Sequence, residues 1–130
     1  NASGFTTITL NDAGDTVTLQ FVGGYWRRVS GKGVDSTNTI TGTGALGAVS
    51  LDTEVTLVVT TGAATGTLAA GYEGQRKTIK LKTDGGDYVL TPSSLVTGTT
   101  ITFNDANDTV FLQFLDGKWA VITNTGATVA

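Results

Sequence analysis

The strongest constraint on this chain is that it contains one stretch twice. Residues 6–29 read TTITLNDAGDTVTLQFVGGYWRRV and residues 99–122 read TTITFNDANDTVFLQFLDGKWAVI, at a constant offset of 93. Ile8 corresponds to Ile101, Asn11 to Asn104, Asp15 to Asp108, Gln20 to Gln113 and Trp26 to Trp119. Each copy reads as three consecutive antiparallel strands. An Asx turn follows the first (NDAGD, NDAND), and a two-residue loop (Gly23-Gly24, Asp116-Gly117) joins the other two. The chain therefore reads as a repeat protein cut within a repeat. Residues 1–34 are expected to form the three-stranded back part of a first unit, 35–48 a Gly/Thr-rich connector with short strand character near Thr39–Thr43, and 49–130 a complete second unit.

Strict alternation sets the strand type. In 16–22, Val17, Leu19 and Phe21 take one face and Thr18, Gln20 and Val22 the other. In 54–60, Val55, Leu57 and Val59 share a face, and Val58 adds bulk opposite. In 75–83, Ile79 and Leu81 oppose Arg76, Thr78, Lys80 and Lys82. Pro92 stops the strand at 87–91, because proline cannot donate to a central ladder. No window carries a sustained 3.6-residue apolar period, so almost no helix is expected. Short strands at 8–12-residue spacing give an all-β antiparallel sandwich or small barrel.

Composition narrows the chemistry. The chain has no Cys, His or Met. It therefore has no disulfide, no thiolate and no imidazole base or zinc ligand. The formal charge of −3 argues against nucleic acid as a partner, and no apolar run approaches a membrane span. Ser30, Ser36, Ser50, Ser93 and Ser94 have no His partner, and the glycines fall in turns rather than a phosphate-binding motif. Enzyme activity is not expected. The sequence begins at Asn1 with no basic-then-apolar leader. It is expected to be a processed or truncated part of a longer polypeptide.

The differences between the copies point to a surface. Thr18 becomes Phe111, Val22 becomes Leu115, and Arg27 and Arg28 become Ala120 and Val121. The second copy is therefore apolar on both faces, and such strands are covered on both. A subunit contact through Phe111, Gln113, Leu115 and Ala120 is expected, the alternative being that residues 31–48 fold back over them. Burying Phe111 and Leu115 contributes on the order of 2 kcal/mol each before ordering costs.

Other candidates carry plainer readings. Asp12/Asp15 and Asp105/Asp108 could supply oxygens to Ca²⁺. They lack the EF-hand spacing, and ordinary Asx turns are favoured, with no metal or cofactor expected. Arg76, Lys80 and Lys82 form a basic stripe suited to an anionic glycan or an acidic partner, or simply a solvated strand face. Tyr25 and Tyr72 are candidates for sugar stacking, whereas Trp26 and Trp119 hold equivalent positions and read as packing residues. Recurring Thr-x-Thr pairs lack the short period an ice-binding array needs.

The segments TLAAGYEGQRKTIKLKTDGGDYVLTP and DTVFLQFLDGKWAVI, within residues 49–129, resemble a β-rich module of tailed-bacteriophage virion proteins. Such modules occur in capsid decoration (cement) proteins, head fibres and tail fibres. The resemblance implies a non-enzymatic structural protein on the capsid exterior, homotrimeric, with the major capsid protein or another virion protein as partner. It supplies no catalytic residues. Two alternatives are a tail-fibre module that binds a host-surface glycan, and a tandem-repeat bacterial surface or filament protein assembled by strand addition.

Overall fold

The computed structural model describes residues 7–10, 13, 15–32 and 37–130, and within residues 25–32 the side chain of Trp26 alone. The described residues form strands and loops without a helix. β1 (Thr16–Val22) and β2 (Tyr25–Lys32) pair as a separate two-stranded sheet. The other strands are β3 (Thr37–Ala48), β4 (Val55–Leu68), β5 (Arg76–Thr83), β6 (Tyr88–Pro92), β7 (Ile101–Phe103), β8 (Thr109–Leu115), β9 (Lys118–Thr125) and β10 (Thr128–Val129). They make one sheet in the order β10-β7-β6-β4-β5-β8-β9, with β3 beside β4. Residues 7–10, expected within a strand, have none; positions 5 and 6 lie outside the described residues.

The all-β expectation holds, but the sheet is mixed rather than antiparallel, and it curls into a half-barrel. β4 runs parallel to β3, β5 and β6. Its first half pairs with β5 and its second half with β6. Parallel neighbours joined by a short loop force the curl. Val49 N–H donates to Thr67 O, while Thr53 Oγ1 bonds Asn38 Oδ1, which also accepts from Thr56 Oγ1. Four links between Val49 and Thr53 reach about 14 Å. A straight strand from Thr56 to Thr67 would run about 36 Å. β4 must therefore bend back on itself.

The bend is a line of breaks crossing every strand. Thr43 sits opposite the irregular 61–63 segment of β4, and 84–87 separates β5 from β6. Residues 104–108 separate β7 from β8, and 126–127 separate β9 from β10. Backbones approach closely along this line. A Cβ at Gly85 would strike Thr60 O, one at Gly86 would lie 2.5 Å from Ala63 N, and one at Gly126 would strike the Asp108 carboxylate. Thr60 Oγ1 accepts from Gly85 N–H and donates to Gly86 O. Asp108 Oδ2 accepts from the N–H groups of Asn104 and Asp105. The NDAND segment is thus a corner rather than a hairpin turn. β7 and β8 run the same way on either side of it, each antiparallel to a different strand. This corrects the reading of three consecutive antiparallel strands.

Inside the curl lies one apolar core. Val58, Ile79, Leu81, Val110, Leu112, Phe114 and Trp119 come from one side of the corner. Ala64, Leu68, Tyr88, Leu90, Ile101 and Phe103 come from the other. On β4 the buried face is Thr56, Val58 and Thr60; Val55, Leu57 and Val59 are half-buried on the outside. The two threonines are admitted because their hydroxyls are satisfied by Asn38 and Gly86.

The Gly/Thr-rich segment expected as a connector is for the most part strand. β3 pairs along both halves of β4, with Gly44 and Gly47 in the left-handed region where the edge kinks. It lies beyond β4 and β5 from β8, and joins the sheet edge to edge instead of covering the outer face of β8.

Candidate functional site

The outer face of β5, β8 and β9 gathers residues that the sequence placed in separate groups. Register sets Arg76 opposite Gln113, Thr78 opposite Phe111 and Lys80 opposite Thr109. Gln113 in turn faces Ala120 on β9. On the other flank Thr78 lies beside Val55, and Lys80 beside Leu57. In-register neighbours point the same way, so the basic stripe and the expected contact residues share one surface. Lys82 is exposed but falls where the β4–β5 register shifts, and stands apart from Arg76 and Lys80.

This surface is apolar with a basic margin. Phe111, Gln113 and Ala120 are half-buried and Leu115 is exposed. Sequence reasoning missed Ile122 and Val96, which are 48% and 58% exposed. Ile122 is the extra residue of β9 where the β8–β9 register shifts, between Val121 opposite Leu112 and Thr123 opposite Phe111. Val96 arrives through the loop after β6, where its N–H donates to Trp119 O. A shallow depression of about 280 Å³ lies beside them, lined by Val96, Thr97, Ala120, Val121 and Val129.

The aromatic candidates separate. Trp119 is fully buried, with its indole N–H donating to Ala69 O and its ring 5.1 Å from that of Phe114. Trp26 makes the same ring pair with Phe21, also at 5.1 Å, yet is 46% exposed. Tyr72 is half-buried in the loop before β5, where its N–H donates to Gln75 Oε1. Tyr25 lies in β2, and its side chain is outside the described residues. Tyr25 thus belongs to the two-stranded sheet, and Tyr72 to a loop between β4 and β5 of the larger one.

The NDAND segment is not held as an Asx turn, in which the carboxylate would accept from an N–H two residues further on; Asp108 is buried and its carboxylate accepts from the N–H groups of Asn104 and Asp105, which precede it. Its partner-copy segment, residues 11, 12 and 14, lies outside the described residues. Among the described residues there is no group of three or more His, Cys, Asp or Glu suited to a metal ion.

Lys77 is the residue that sequence reasoning passed over. It shares parity with Ile79 and Leu81, and that was the available signal. Its side chain is fully buried, and its Nζ donates to Thr53 O at 2.8 Å. Burial lowers its pKa to about 7, against the pull of Asp52 and Glu54. A lysine poised near neutrality is a common catalytic device. This one is sealed in the core, where a substrate carbonyl has no approach. Tyr88 is buried on the other side of the corner, where burial raises its pKa to about 12, and its hydroxyl has no hydrogen-bond partner.

Comparison with protein-family models and with curated proteins finds no match for this chain.

Proposed function

We propose that this chain is a non-enzymatic structural protein of a tailed-phage virion, a capsid decoration or head-fibre protein built from ~93-residue β units and assembled as a homotrimer. The observation that carries the reading is the outer face of β8 and β9. Among the described residues no element covers Phe111, Leu115 and Ala120 there, with exposed Ile122 beside them, and residues 37–48 of the expected connector are engaged elsewhere as β3. An apolar, basic-edged patch on a curved sheet fits association with copies of itself. The likeness of 49–129 to virion modules supplies the setting.

Light scattering tests it. The reading predicts a mass of three 13.3 kDa chains across a dilution series. It further predicts that Phe111→Asp or Ile122→Asp returns the mass to one chain while the circular dichroism spectrum stays that of a sheet. A single-chain mass for the unaltered protein at every concentration contradicts the trimer.

A second reading, a tandem-repeat surface or filament protein, is favoured by the β1–β2 hairpin. Its exposed Phe21 and Trp26 duplicate a hairpin that elsewhere in the chain is covered. Growth of mass without limit as concentration rises would select it.

A further inference from the structure

The two hairpins are the same object in different surroundings. β1–β2 pairs Val22 with Tyr25 and Phe21 with Trp26, and its register shifts between Thr18 and Leu19. β8–β9 pairs Leu115 with Lys118 and Phe114 with Trp119, and shifts between Phe111 and Leu112. Both turns hold two successive residues at positive φ, Gly23-Gly24 and Asp116-Gly117.

In the second hairpin a cradle from residues 68–96 receives the inner face. β5 pairs with the outer edge of β8. Gly74 N–H donates to Phe114 O, and Phe114 N–H donates to Gln75 O. The Trp119 ring lies over Gly71, where a Cβ would sit 3.0 Å from the indole. Trp119 N–H donates to Ser94 O, and the Glu73 carboxylate accepts from Asp116 N–H.

Identity and difference between the copies sort by face. Val110, Leu112, Phe114 and Trp119, buried toward the core, have Val17, Leu19, Phe21 and Trp26 as unchanged counterparts. Gln113, whose Nε2 reaches Gly74 O, matches Gln20. The changes fall at Phe111, Leu115, Asp116, Lys118 and Ala120, on the outer face or the turn. Two further changes are at half-buried Val121, where the first copy has Arg28, and at exposed Ile122, where it has Val29. Apart from Arg28, at the place of core-packed Val121, the first hairpin thus keeps what a cradle touches, yet leaves Leu19, Phe21 and Trp26 exposed.

We infer that β1–β2 is a docking element for a further β unit, one carrying a cradle of the type formed by residues 68–96. β1 adds the edge that no described strand occupies to that unit's β5-like strand, and Trp26 fills its glycine-floored pocket. A second copy of residues 1–130 does not meet the need by exchange. Each copy brings two such hairpins and one cradle, so one hairpin per chain would stay uncovered. The partner is therefore another repeat unit. The inference is independent of the virion setting and of the outer-face trimer.

Two full-length variants test it. In the first, the outer-face and turn residues of the first hairpin are grafted onto the second in a Trp26→Phe background. The changes are Phe111→Thr, Leu115→Val, Asp116→Gly, Lys118→Tyr, Ala120→Arg, Val121→Arg and Ile122→Val. Trp119 emission is expected to stay at the short wavelength of a buried indole, with one cooperative melt. In the second, Phe114→Asp with Trp119→Phe spoils the resident hairpin and leaves Trp26 as the only indole. The freed cradle is then expected to capture β1–β2, moving Trp26 emission to shorter wavelength than in Trp119→Phe alone. A solvent-exposed Trp119 in the graft, or an unmoved Trp26 in the second variant, overturns the proposal.

Discussion

Hairpins β1–β2 and β8–β9 separate what a local sequence determines from what its surroundings determine. Alternation, a two-residue turn and a facing Phe–Trp pair suffice to set strands, register and bulge, because both copies have them alike. Burial does not follow from these. Phe114 and Trp119 are 6% and 0% exposed, Phe21 and Trp26 56% and 46%. The difference comes from residues 68–96, which lie on one hairpin and not the other. The hairpin is thus a plug, and its contribution to stability resides in the socket.

The largest expected effect comes from removing the plug's anchor. Trp119→Ala is predicted to destabilise the sheet by about 4 kcal/mol through the lost packing and the cavity left. Trp26→Ala should change it by less than about 0.5 kcal/mol, as for an exposed side chain. Urea unfolding of both variants measures the contrast, and equal losses would erase it.

The socket strand itself carries the next effect. Lys77 has a folded pKa near 7 and an ordinary value of 10.5 when unfolded. Between those values the unfolded chain binds more protons, so stability rises with pH across that window. At most about 3.5 kcal/mol is expected between pH 7 and 10 at ~1.4 kcal/mol per unit, since the protonation difference is only partial at both ends of that range. Tyr88 acts in the opposite sense. Its folded pKa of about 12 lies above the ordinary 10.0, so stability falls as pH rises from 10 toward 12. Chemical denaturation from pH 6 to 11 should show a maximum near pH 10, and Lys77→Met should flatten the rise.

At the corner, Asp108→Ala removes the acceptor for two backbone N–H groups and is predicted to cost about 2 kcal/mol. Asp15→Ala, its counterpart, should leave the melt of the main sheet unchanged. The smallest effects belong to Asn107, a non-glycine residue at φ 79. Asn107→Ala should cost about 1 kcal/mol, while Asn107→Gly, the residue of the first copy, stays within about 0.5 kcal/mol.

What could be read from sequence was what repeats at short range. The two hairpins, the inward parity of Ile79 and Leu81 and the packing role of Trp119 all follow from alternation and equivalence. The corner did not, because NDAND carries the signal of a turn whether the chain reverses or bends and continues. Parallel pairing depends on which distant strands meet, and alternation is silent on that. β3 was legible only near Thr39–Thr43 because Gly and Thr weaken the apolar pattern, and a strand at a kinked edge needs little apolar pattern. Lys77 was hidden by its charge, although its parity placed it with the core. Of the candidate surface, Phe111, Gln113, Leu115 and Ala120 could be read from the differences between copies. Their adjacency to Arg76 and Lys80 required the β5–β8 register.

The most direct test is the accessibility of the two indoles in the unaltered fold, one at a time. Acrylamide quenching of Trp119→Phe reports Trp26, and of Trp26→Phe reports Trp119. The account predicts strong quenching and long-wavelength emission for Trp26, with protection and short-wavelength emission for Trp119. Equal protection of both indoles would contradict the distinction between an open hairpin and a seated one.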